Sequence, residues 1–222
     1  MSKELVIFTN PKGATAETVR TLRTNLQFTF VNNNVKTLMI TSSVPGEGKS
    51  FISANLAVSF GLVGIKVLLI DCDMRKGRQH KIFDIKEKEG LSNLLLDDIK
   101  NHKKYIRKTE NDNVFVLTAG IIPPNPSELL GSSKNIELLN TLKKEYDLLI
   151  FDCPPVNTVT DTLVLSSLAD EAVIVCAYKE TPMDLLISTK KALENSGIKI
   201  AGVVMNKMEK AKSNYYYNYY YK

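Results

Sequence analysis

The chain has 222 residues, of which 44% are hydrophobic and 24% are charged, and this composition suits one globular domain with a buried core. The formal net charge of +5 is spread along the chain, so it does not indicate a nucleic-acid partner. No apolar run approaches the roughly 18 residues of a membrane helix, and the first residues lack a signal-peptide pattern. The three cysteines have no metal-binding spacing, and we expect them to be reduced and buried in a cytosolic protein.

Apolar segments alternate with helical patterns along the sequence. The periodicity predicts a first helix over about residues 14–31 and further helices over 49–63, 90–98, 132–145, 161–169 and 182–196. It predicts strands over 35–42, 66–71, 113–119, 146–152, 171–178 and 198–206. Several strands are continuous apolar runs, which are typical of strands buried on both faces of a parallel sheet.

This alternation predicts an α/β fold with a doubly wound, mostly parallel sheet flanked by helices. We expect a single domain over residues 1–206. The segment after residue 206 loses its periodicity, and we expect a flexible, tyrosine-rich tail over 207–222.

The segment SSVPGEGKS (42–50) follows a predicted strand and opens a predicted helix, which is the context of a P-loop. Gly46 and Gly48 allow successive N–H groups to face a phosphate, and the helix dipole favours the same anion. Lys49 can reach the β- and γ-phosphates, and the Ser50 hydroxyl can bind Mg²⁺. The strict pattern has glycine at position 43, where this chain has serine. The residues that we expect to bind the nucleotide are Ser43, Val44, Pro45, Gly46, Glu47, Gly48, Lys49, Ser50 and Phe51.

Acidic residues follow two of the predicted strands. LLIDCDMR (68–75) places Asp71 and Asp73 at the carboxyl end of one strand, and LLIFDCPP (148–155) places Asp152 at the end of another. Ligands of doubly wound sheets bind at the carboxyl ends of the strands, so the three acids are expected to meet near the P-loop. Mg²⁺ prefers a few carboxylates together with water and phosphate oxygens.

These motifs resemble those of the bacterial tyrosine kinases (BY-kinases) of capsule and exopolysaccharide synthesis, in their separate cytoplasmic form. The resemblance covers essentially the whole chain, and the combination of motifs is more specific than a P-loop alone. The resemblance rests on three nucleotide-site motifs: the Walker A motif at 43–50, the second motif at Asp71, Asp73 and Arg75, and the Walker B motif at Asp152 with Pro154 and Pro155. It also rests on the ExxRxxR motif at Glu17, Arg20 and Arg23, the segment GIIPPNPSELL (120–130), and the tyrosine cluster near the carboxyl end.

The resemblance implies a P-loop NTPase fold and an ATP-dependent protein tyrosine kinase that uses ATP/ADP and Mg²⁺. It implies autophosphorylation in trans within a ring, an octamer in the family, with Glu17, Arg20 and Arg23 at the contact between subunits. An exposed helical stripe of charged pairs is the other interpretation of these three residues. The implied phosphate acceptors are Tyr215, Tyr216, Tyr217, Tyr219, Tyr220 and Tyr221, six of the nine tyrosines in the chain.

The resemblance also implies partners and a location. The expected partners are the cytoplasmic tail of a membrane polysaccharide co-polymerase, which would recruit the kinase to the inner face of the membrane, and a cognate tyrosine phosphatase. The expected role is to regulate the synthesis and export of capsular polysaccharide or exopolysaccharide. No nucleic-acid partner is expected.

The expected chemistry of the site follows from the use of tyrosine as the phosphate acceptor. A tyrosine hydroxyl has a pKa near 10, so a carboxylate that accepts its proton assists phosphoryl transfer at neutral pH. We assign this role to Asp71, while Asp73 and Asp152, with Ser50, hold Mg²⁺; the roles of Asp71 and Asp73 can be exchanged. Lys49 neutralises phosphate charge. The HRDxxxxN and DFG motifs of eukaryotic kinases are absent from the sequence.

Two other functions remain open on the sequence alone. Switch ATPases of the kind that partition DNA or place the division site share the fold, but they carry a lysine early in the P-loop, where this chain has Val44, and they lack a tyrosine tail. A degenerate NTPase with an adhesive aromatic tail is the other possibility, and the intact P-loop lysine, serine and acids count against it.

The segment NKME (206–209) is similar to the guanine-binding NKxD signature, with Glu209 in place of the aspartate. A longer acid would not reach guanine in the same way, and the resemblance favours ATP. Asn206 is predicted to contact the adenine edge; the alternative is an ordinary turn residue.

Overall fold

The computed structural model describes residues 2–86 and 89–209, apart from the side chains of residues 31 and 32. The strands in this part of the chain are β1 (Thr37–Ser42), β2 (Val67–Asp71), β3 (Arg107–Lys108), β4 (Val114–Leu117), β5 (Leu148–Asp152), β6 (Glu171–Ala177) and β7 (Lys199–Asn206). The helices are α1 (Val6–Thr9), α2 (Ala14–Asn33), α3 (Lys49–Gly61), α4 (Gln79–Ile82), α5 (Leu91–Leu96), α6 (His102–Tyr105), α7 (Pro126–Leu130), α8 (Ser133–Glu145), α9 (Asp161–Ser166) and α10 (Met183–Asn195), and a 3₁₀ turn covers Ile99–Asn101.

The strands form one sheet in the order β3-β4-β2-β5-β1-β6-β7. Neighbouring strands are parallel throughout, except that β3 is antiparallel to β4. Each predicted strand and each predicted helix is present, with ends that shift by a few residues at most. The prediction of a doubly wound, mostly parallel sheet is therefore confirmed.

Helices cover both faces of this sheet. Leu38 and Ile40 of β1 pack on the face covered by α1 to α4, whereas Met39 between them packs on the face covered by α5 to α10. Successive residues of a strand point to opposite faces, so all six residues of β1 are buried. This two-sided burial is the physical reason for the continuous apolar runs in the sequence.

The elements that the sequence analysis did not predict are short. Helices α1, α4 and α6 have four residues each, α7 has five and β3 has two. Elements of this length contain too few residues for a periodic hydrophobic pattern. Helix α7 lies within the segment GIIPPNPSELL and begins with Pro126, a position where the fixed φ angle of proline suits a helix start.

Helix α3, which follows the P-loop, is buried along almost its whole length. Of its 13 residues only Phe51 is partly exposed. Helix α2 packs against it, and the rings of Phe30 and Phe60 stack with their centroids 5.9 Å apart. The Asn55 side chain accepts the N–H of Ile7 at 3.3 Å, so α3 also fixes the segment that contains α1.

The sheet order brings the predicted acids together. Strands β2, β5 and β1 are neighbours, and Asp71 at the end of β2 is the register partner of Asp152 at the end of β5. The P-loop follows β1, beside β5. All three cysteines are buried and free, as predicted, and no helix in the described ranges is long and apolar enough to cross a membrane.

Candidate active site

The loop between β1 and α3 has the backbone shape of a phosphate-binding loop. Gly46 and Gly48 adopt positive φ angles of 89° and 96°, a region that glycine enters without the steric cost of a Cβ atom. Gly48 has a second constraint, because a Cβ atom there would lie 2.0 Å from Nδ2 of Asn206. Ser43 is not among the residues with positive φ, so the departure from the strict glycine pattern causes no backbone strain.

The predicted nucleotide-binding residues divide into two groups. Six of them line a cleft of about 230 Å³: Pro45, Gly46, Gly48, Lys49, Ser50 and Phe51. Ser43, Val44 and Glu47 do not line it. The Glu47 carboxylate turns back into the protein, where it accepts the N–H groups of Ser43 and Val44 at 2.7 and 2.9 Å.

Lys49 lies between two carboxylates. Its Nζ is 3.0 Å from Oδ2 of Asp73 and 3.6 Å from Oδ1 of Asp152. Burial lowers the pKa of the Lys49 ammonium, but the charges of Asp152, Asp73 and Asp71 outweigh this effect and raise the pKa above its ordinary value. The site therefore contains a fixed cation, ready to meet an anionic ligand.

Asp71 and Asp152 are fully buried side by side. Oδ2 of Asp71 accepts the N–H groups of Arg78 and Gln79 at 2.8 and 2.9 Å, and its Oδ1 accepts the N–H of Asp73 at 3.2 Å. Burial and then the charge of Asp152 raise the pKa of Asp71 well above its ordinary value. A carboxylate with a raised pKa is a stronger proton acceptor.

Gln79 is a site residue that the sequence analysis missed. Its Nε2 donates to Oδ2 of Asp152 at 2.7 Å and to the backbone oxygen of Ser50 at 3.1 Å. The side chain therefore fixes Asp152 relative to the P-loop helix. Gln79 follows Asp71 by eight residues in a stretch without a recognisable motif, so the sequence contained no signal for it.

Arg75 of the second motif is bound to helix α9. Its Nε and one terminal nitrogen donate to the two carboxylate oxygens of Asp161 at 3.1 and 3.3 Å. The Ser127 hydroxyl donates to the same buried carboxylate. The hydrogen bonds to Asp161 raise the pKa of Arg75. The DxDxR motif and the PSELL part of GIIPPNPSELL thus meet at Asp161, which the sequence analysis did not single out.

The remaining walls of the cleft come from the segments after β2 and β5. Asp73 lines it, whereas Asp71 does not. Arg75, Lys76 and Arg78 are exposed at the same cleft. Pro154 and Pro155, which follow Asp152, also line it. A cleft with a buried lysine and three further cations suits a ligand with several negative charges.

The residues predicted to hold Mg²⁺ lie together around Lys49. The Ser50 hydroxyl is 3.5 Å from Lys49 Nζ, which also contacts Asp73 and Asp152. No group of three His, Cys, Asp or Glu side chains in the described ranges is arranged to hold a metal by itself. Mg²⁺ is usually held by one or two carboxylates with water and substrate phosphates, so this oxygen-rich donor set fits the ion in the presence of a nucleotide.

Asn206 is placed beside the P-loop, at the end of β7. Its Nδ2 donates to the backbone oxygen of Glu47 at 2.9 Å. The observed contact supports the shape of the loop. The predicted contact with adenine stays a prediction.

The ExxRxxR residues lie on α2 and make contacts within the chain. Arg20 pairs with Glu17 at 2.7 Å and also donates to the backbone oxygen of Pro11. Arg23 donates to the backbone oxygen of Ser59 on α3 at 3.2 Å. The charged-pair interpretation accounts for Glu17 and Arg20, whereas Arg23 joins two helices. The predicted acceptors Tyr215, Tyr216, Tyr217, Tyr219, Tyr220 and Tyr221 lie outside the described residues.

Fold and site together define a P-loop NTPase. The strand–loop–helix unit, the Lys49 side chain at the cleft and the acids at the neighbouring strand ends are the features of this class. The sequence model of the AAA domain family matches residues 35–195, which include all of these features.

Two relatives are named tyrosine-protein kinases. CapB of Staphylococcus aureus is 41% identical over 97% of this chain and 94% of that protein. YwqD of Bacillus subtilis (strain 168) is 39% identical over 97% of this chain and 91% of that protein. The chain belongs to the bacterial tyrosine-protein kinases of the capsule type, and it is a protein tyrosine kinase.

Two solved structures share this fold. The chimerical protein CapA2B2 superposes with a TM-score of 0.89 at 41% identity, covering 95% of this chain and 92% of that one. The division-site protein MinD from Pyrococcus horikoshii OT3, in complex with Mg-ADP, has a TM-score of 0.67 at 24% identity, covering 80% and 72% of the two chains. The second similarity concerns the fold alone.

Proposed function

We propose that this kinase transfers the γ-phosphoryl group of Mg-ATP to the tyrosines at residues 215–221 of a neighbouring copy of itself, within a ring. Phosphorylation would regulate the synthesis and export of capsular polysaccharide or exopolysaccharide. The observation that carries the proposal is the position of Lys49 at the P-loop, 3.0 Å from Asp73 and 3.6 Å from Asp152. Six of the nine tyrosines of the chain follow this domain within one short segment.

The roles of the residues follow from their positions. The N–H groups of the loop and Lys49 would bind and neutralise the phosphates, and this alignment is most of what phosphoryl transfer requires. Ser50, Asp73 and Asp152 would hold Mg²⁺, which supplies further charge neutralisation when bound. The fold neighbour MinD, solved with Mg-ADP, supports a nucleotide with its metal as the ligand of this class of site.

Asp71 would accept the proton of the tyrosine hydroxyl, and its raised pKa supports this role. Asp73 is the second candidate, because it lines the cleft and Asp71 does not. A proton acceptor must be ionised, so the rate should rise with pH through the pKa of the acceptor.

The pH–rate profile separates these two candidates. Asp71→Asn and Asp73→Asn should each lower the rate of tail phosphorylation, by about 10²–10⁴-fold for the acceptor. If Asp71 is the acceptor, the rate of the Asp73→Asn protein should still fall at low pH. The residual rate of the Asp71→Asn protein should no longer show this fall. The reverse pattern assigns the proton acceptor to Asp73.

The central test is mass spectrometry of the tail after incubation with Mg-ATP. The wild-type chain should gain phosphate on residues 215–221, and Lys49→Met should abolish this gain, because it removes the ammonium that lies beside Asp73 and Asp152 at the P-loop. Lys190→Met is the matched control, since Lys190 is an exposed residue of α10 that pairs with Glu194. Full tail phosphorylation of the Lys49→Met protein would disprove the P-loop role.

A mixing experiment tests the direction of transfer. One protein carries Lys49→Met and an intact tail, and the other is active but lacks residues 215–221. Transfer in trans predicts that the Lys49→Met tail becomes phosphorylated in the mixture and not alone. An unmodified tail in the mixture, with both proteins folded, would indicate a reaction within one chain.

We further propose that the ring contact involves α2. We also propose that the activating partner is the cytoplasmic tail of a membrane co-polymerase, which recruits the kinase to the inner face of the membrane. A cognate phosphatase would reverse the reaction. The name of the solved chimera CapA2B2 joins two components, which supports a second protein as the partner. A peptide of that tail should increase tail phosphorylation, and an unchanged rate would contradict the proposed activation.

The ring contact can be tested most cleanly at Arg20. In the described part of the chain its guanidinium binds Glu17 and Pro11 at the surface, so Arg20→Ala should leave the fold intact and lower the mass of the assembly in light scattering. Arg23→Ala is a poorer probe, because Arg23 also joins α2 to Ser59 of α3. An unchanged mass for Arg20→Ala would favour the alternative, a simple charged pair on an exposed helix.

A further inference from the structure

Glu47 is an acidic residue inside a loop that is built to bind an anion. An ionised carboxylate facing the cleft would repel phosphate. The side chain is instead only 2% exposed and does not line the cleft. The burial of this charge therefore needs a role within the protein.

Three donors hold the Glu47 carboxylate. Its Oε2 accepts the N–H groups of Ser43 and Val44, and its Oε1 accepts the hydroxyl of Thr181, in the segment between β6 and α10. The Thr181 oxygen in turn accepts the N–H of Ala177 at 2.8 Å. A hydroxyl has one proton, so this second bond leaves the proton of Thr181 for Glu47.

These bonds determine which N–H groups of the loop remain for a ligand. Glu47 takes those of Ser43 and Val44, and Pro45 has none. The first backbone bond of α3 runs from Ile52 to Gly48, so the N–H groups of residues 46–51 are left for phosphate oxygens. The carboxylate thus separates a structural half of the loop from a ligand-binding half.

Two further contacts hold the same loop. Thr189 of α10 lies 2.9 Å from Ser43, hydroxyl to hydroxyl, and Asn206 donates to the backbone oxygen of Glu47. The loop is therefore held by the segment after β6, by α10 and by the end of β7. The Glu47 carboxylate connects Thr181, in the segment after β6, to the backbone N–H groups of the loop.

We propose that Glu47 is a positioning residue for nucleotide binding, with Thr181 as the residue that orients it. The carboxylate holds residues 43–48 in the phosphate-binding shape before the nucleotide arrives. Without it, the N–H groups of Ser43 and Val44 lose their acceptor, and part of the binding free energy is lost in reordering the loop. This inference rests on the proposed function in one respect, that the loop binds Mg-ATP.

The test measures the Kd of a fluorescent Mg-ATP analogue for the full chain, together with the exchange rates of the Ser43 and Val44 amide protons by NMR. Glu47→Ala should raise the Kd about tenfold or more and speed the exchange of both amides. Thr181→Val should raise the Kd several-fold, whereas Thr181→Ser keeps the hydroxyl and should restore a Kd close to that of the wild type.

Thr37→Val is the matched control for loss of a buried hydroxyl. Thr37 accepts the N–H of Asp170 at 2.9 Å, at the start of β1 and away from the loop. This variant should lower the Tm without changing the Kd. A similar rise in Kd for Thr37→Val would show that general destabilisation accounts for the effect, and it would overturn the proposal.

Wild-type affinity in the Glu47→Ala protein would also overturn the positioning role, even if the two amides exchange faster. If Glu47→Ala does not fold, the Thr181 variants decide: equal Kd values for Thr181→Val and Thr181→Ser count against the proposal. Failure of the proposed function has a different signature, because the wild type would then bind Mg-ATP no better than the Lys49→Met protein.

Discussion

Gln79 shows how a single uncharged side chain can position a buried carboxylate. Its amide donates to Asp152 at 2.7 Å and to the backbone oxygen of Ser50 at 3.1 Å. The only other side chain that donates a hydrogen bond to Asp152 in the described ranges is Ser53, at a longer 3.4 Å. The orientation of Asp152 therefore depends mainly on Gln79 and on the ion pair with Lys49.

Gln79→Met keeps the length of the side chain and removes both hydrogen bonds. We expect the rate of tail phosphorylation to fall about tenfold, because a misplaced carboxylate loses alignment with the reacting groups. The free energy of unfolding should fall by about 1 kcal/mol, measured by urea denaturation. Lys190→Met on α10 is the control, and a wild-type rate for the Gln79→Met protein would show that Asp152 is positioned without it.

Between secondary-structure elements, Asp161 joins three parts of the chain. It is the first residue of α9, it binds Arg75 from the segment after β2, and it accepts the hydroxyl of Ser127 on α7. Asp161 is fully buried, whereas the Arg75 side chain is 44% exposed. Solvent therefore screens the ion pair in part.

Asp161→Asn should lower the free energy of unfolding by about 1 kcal/mol, because the bidentate pair is lost on a partly exposed arginine. A double-mutant cycle between Arg75→Ala and Ser127→Ala should show coupling, since both side chains bind one carboxylate. The control cycle pairs Ser127→Ala with Lys190→Ala on α10, and it should be additive. Additivity in the first cycle as well would mean that Arg75 and Ser127 act independently.

The same junction shows what the sequence can and cannot reveal. Strand ends such as Asp71 and Asp152 were predictable, because hydrophobic runs define strands and the sheet aligns their carboxyl ends. Lys49 was predictable from a local motif. Asp161 is 86 positions from Arg75, and Thr181 is 134 from Glu47. Such contacts depend on the packing of remote segments, which leaves no periodic or spacing signal in one sequence.

For the whole molecule, the charge of the tail should control the proposed association between copies of the chain. Each phosphotyrosine adds about −1.5 to −2 charges, so six would add roughly −9 to −12 to a chain with a formal charge of +5. A tail of this charge should leave a site that contains Asp71, Asp73 and Asp152, and it should increase repulsion between subunits. Added salt should weaken the effect.

We therefore expect the unphosphorylated and Lys49→Met proteins to form large closed oligomers and the fully phosphorylated protein to be monomeric. Light scattering at two salt concentrations measures both the mass and its salt dependence. Equal masses for the phosphorylated and unphosphorylated forms would mean that the tyrosines are substrates without being a switch.

The burial of α3 has a consequence for how the protein opens on slow timescales. Amide protons in a helix that is enclosed by the sheet and by α2 exchange with solvent only when a large part of the fold opens. The amide protons of residues 53–61 should therefore give an opening free energy equal to that of global unfolding. Amide protons on the surface of α2 should exchange through smaller openings. The helix that carries Lys49 would then persist in every partly opened form, and heating should remove nucleotide binding and the fold in a single transition.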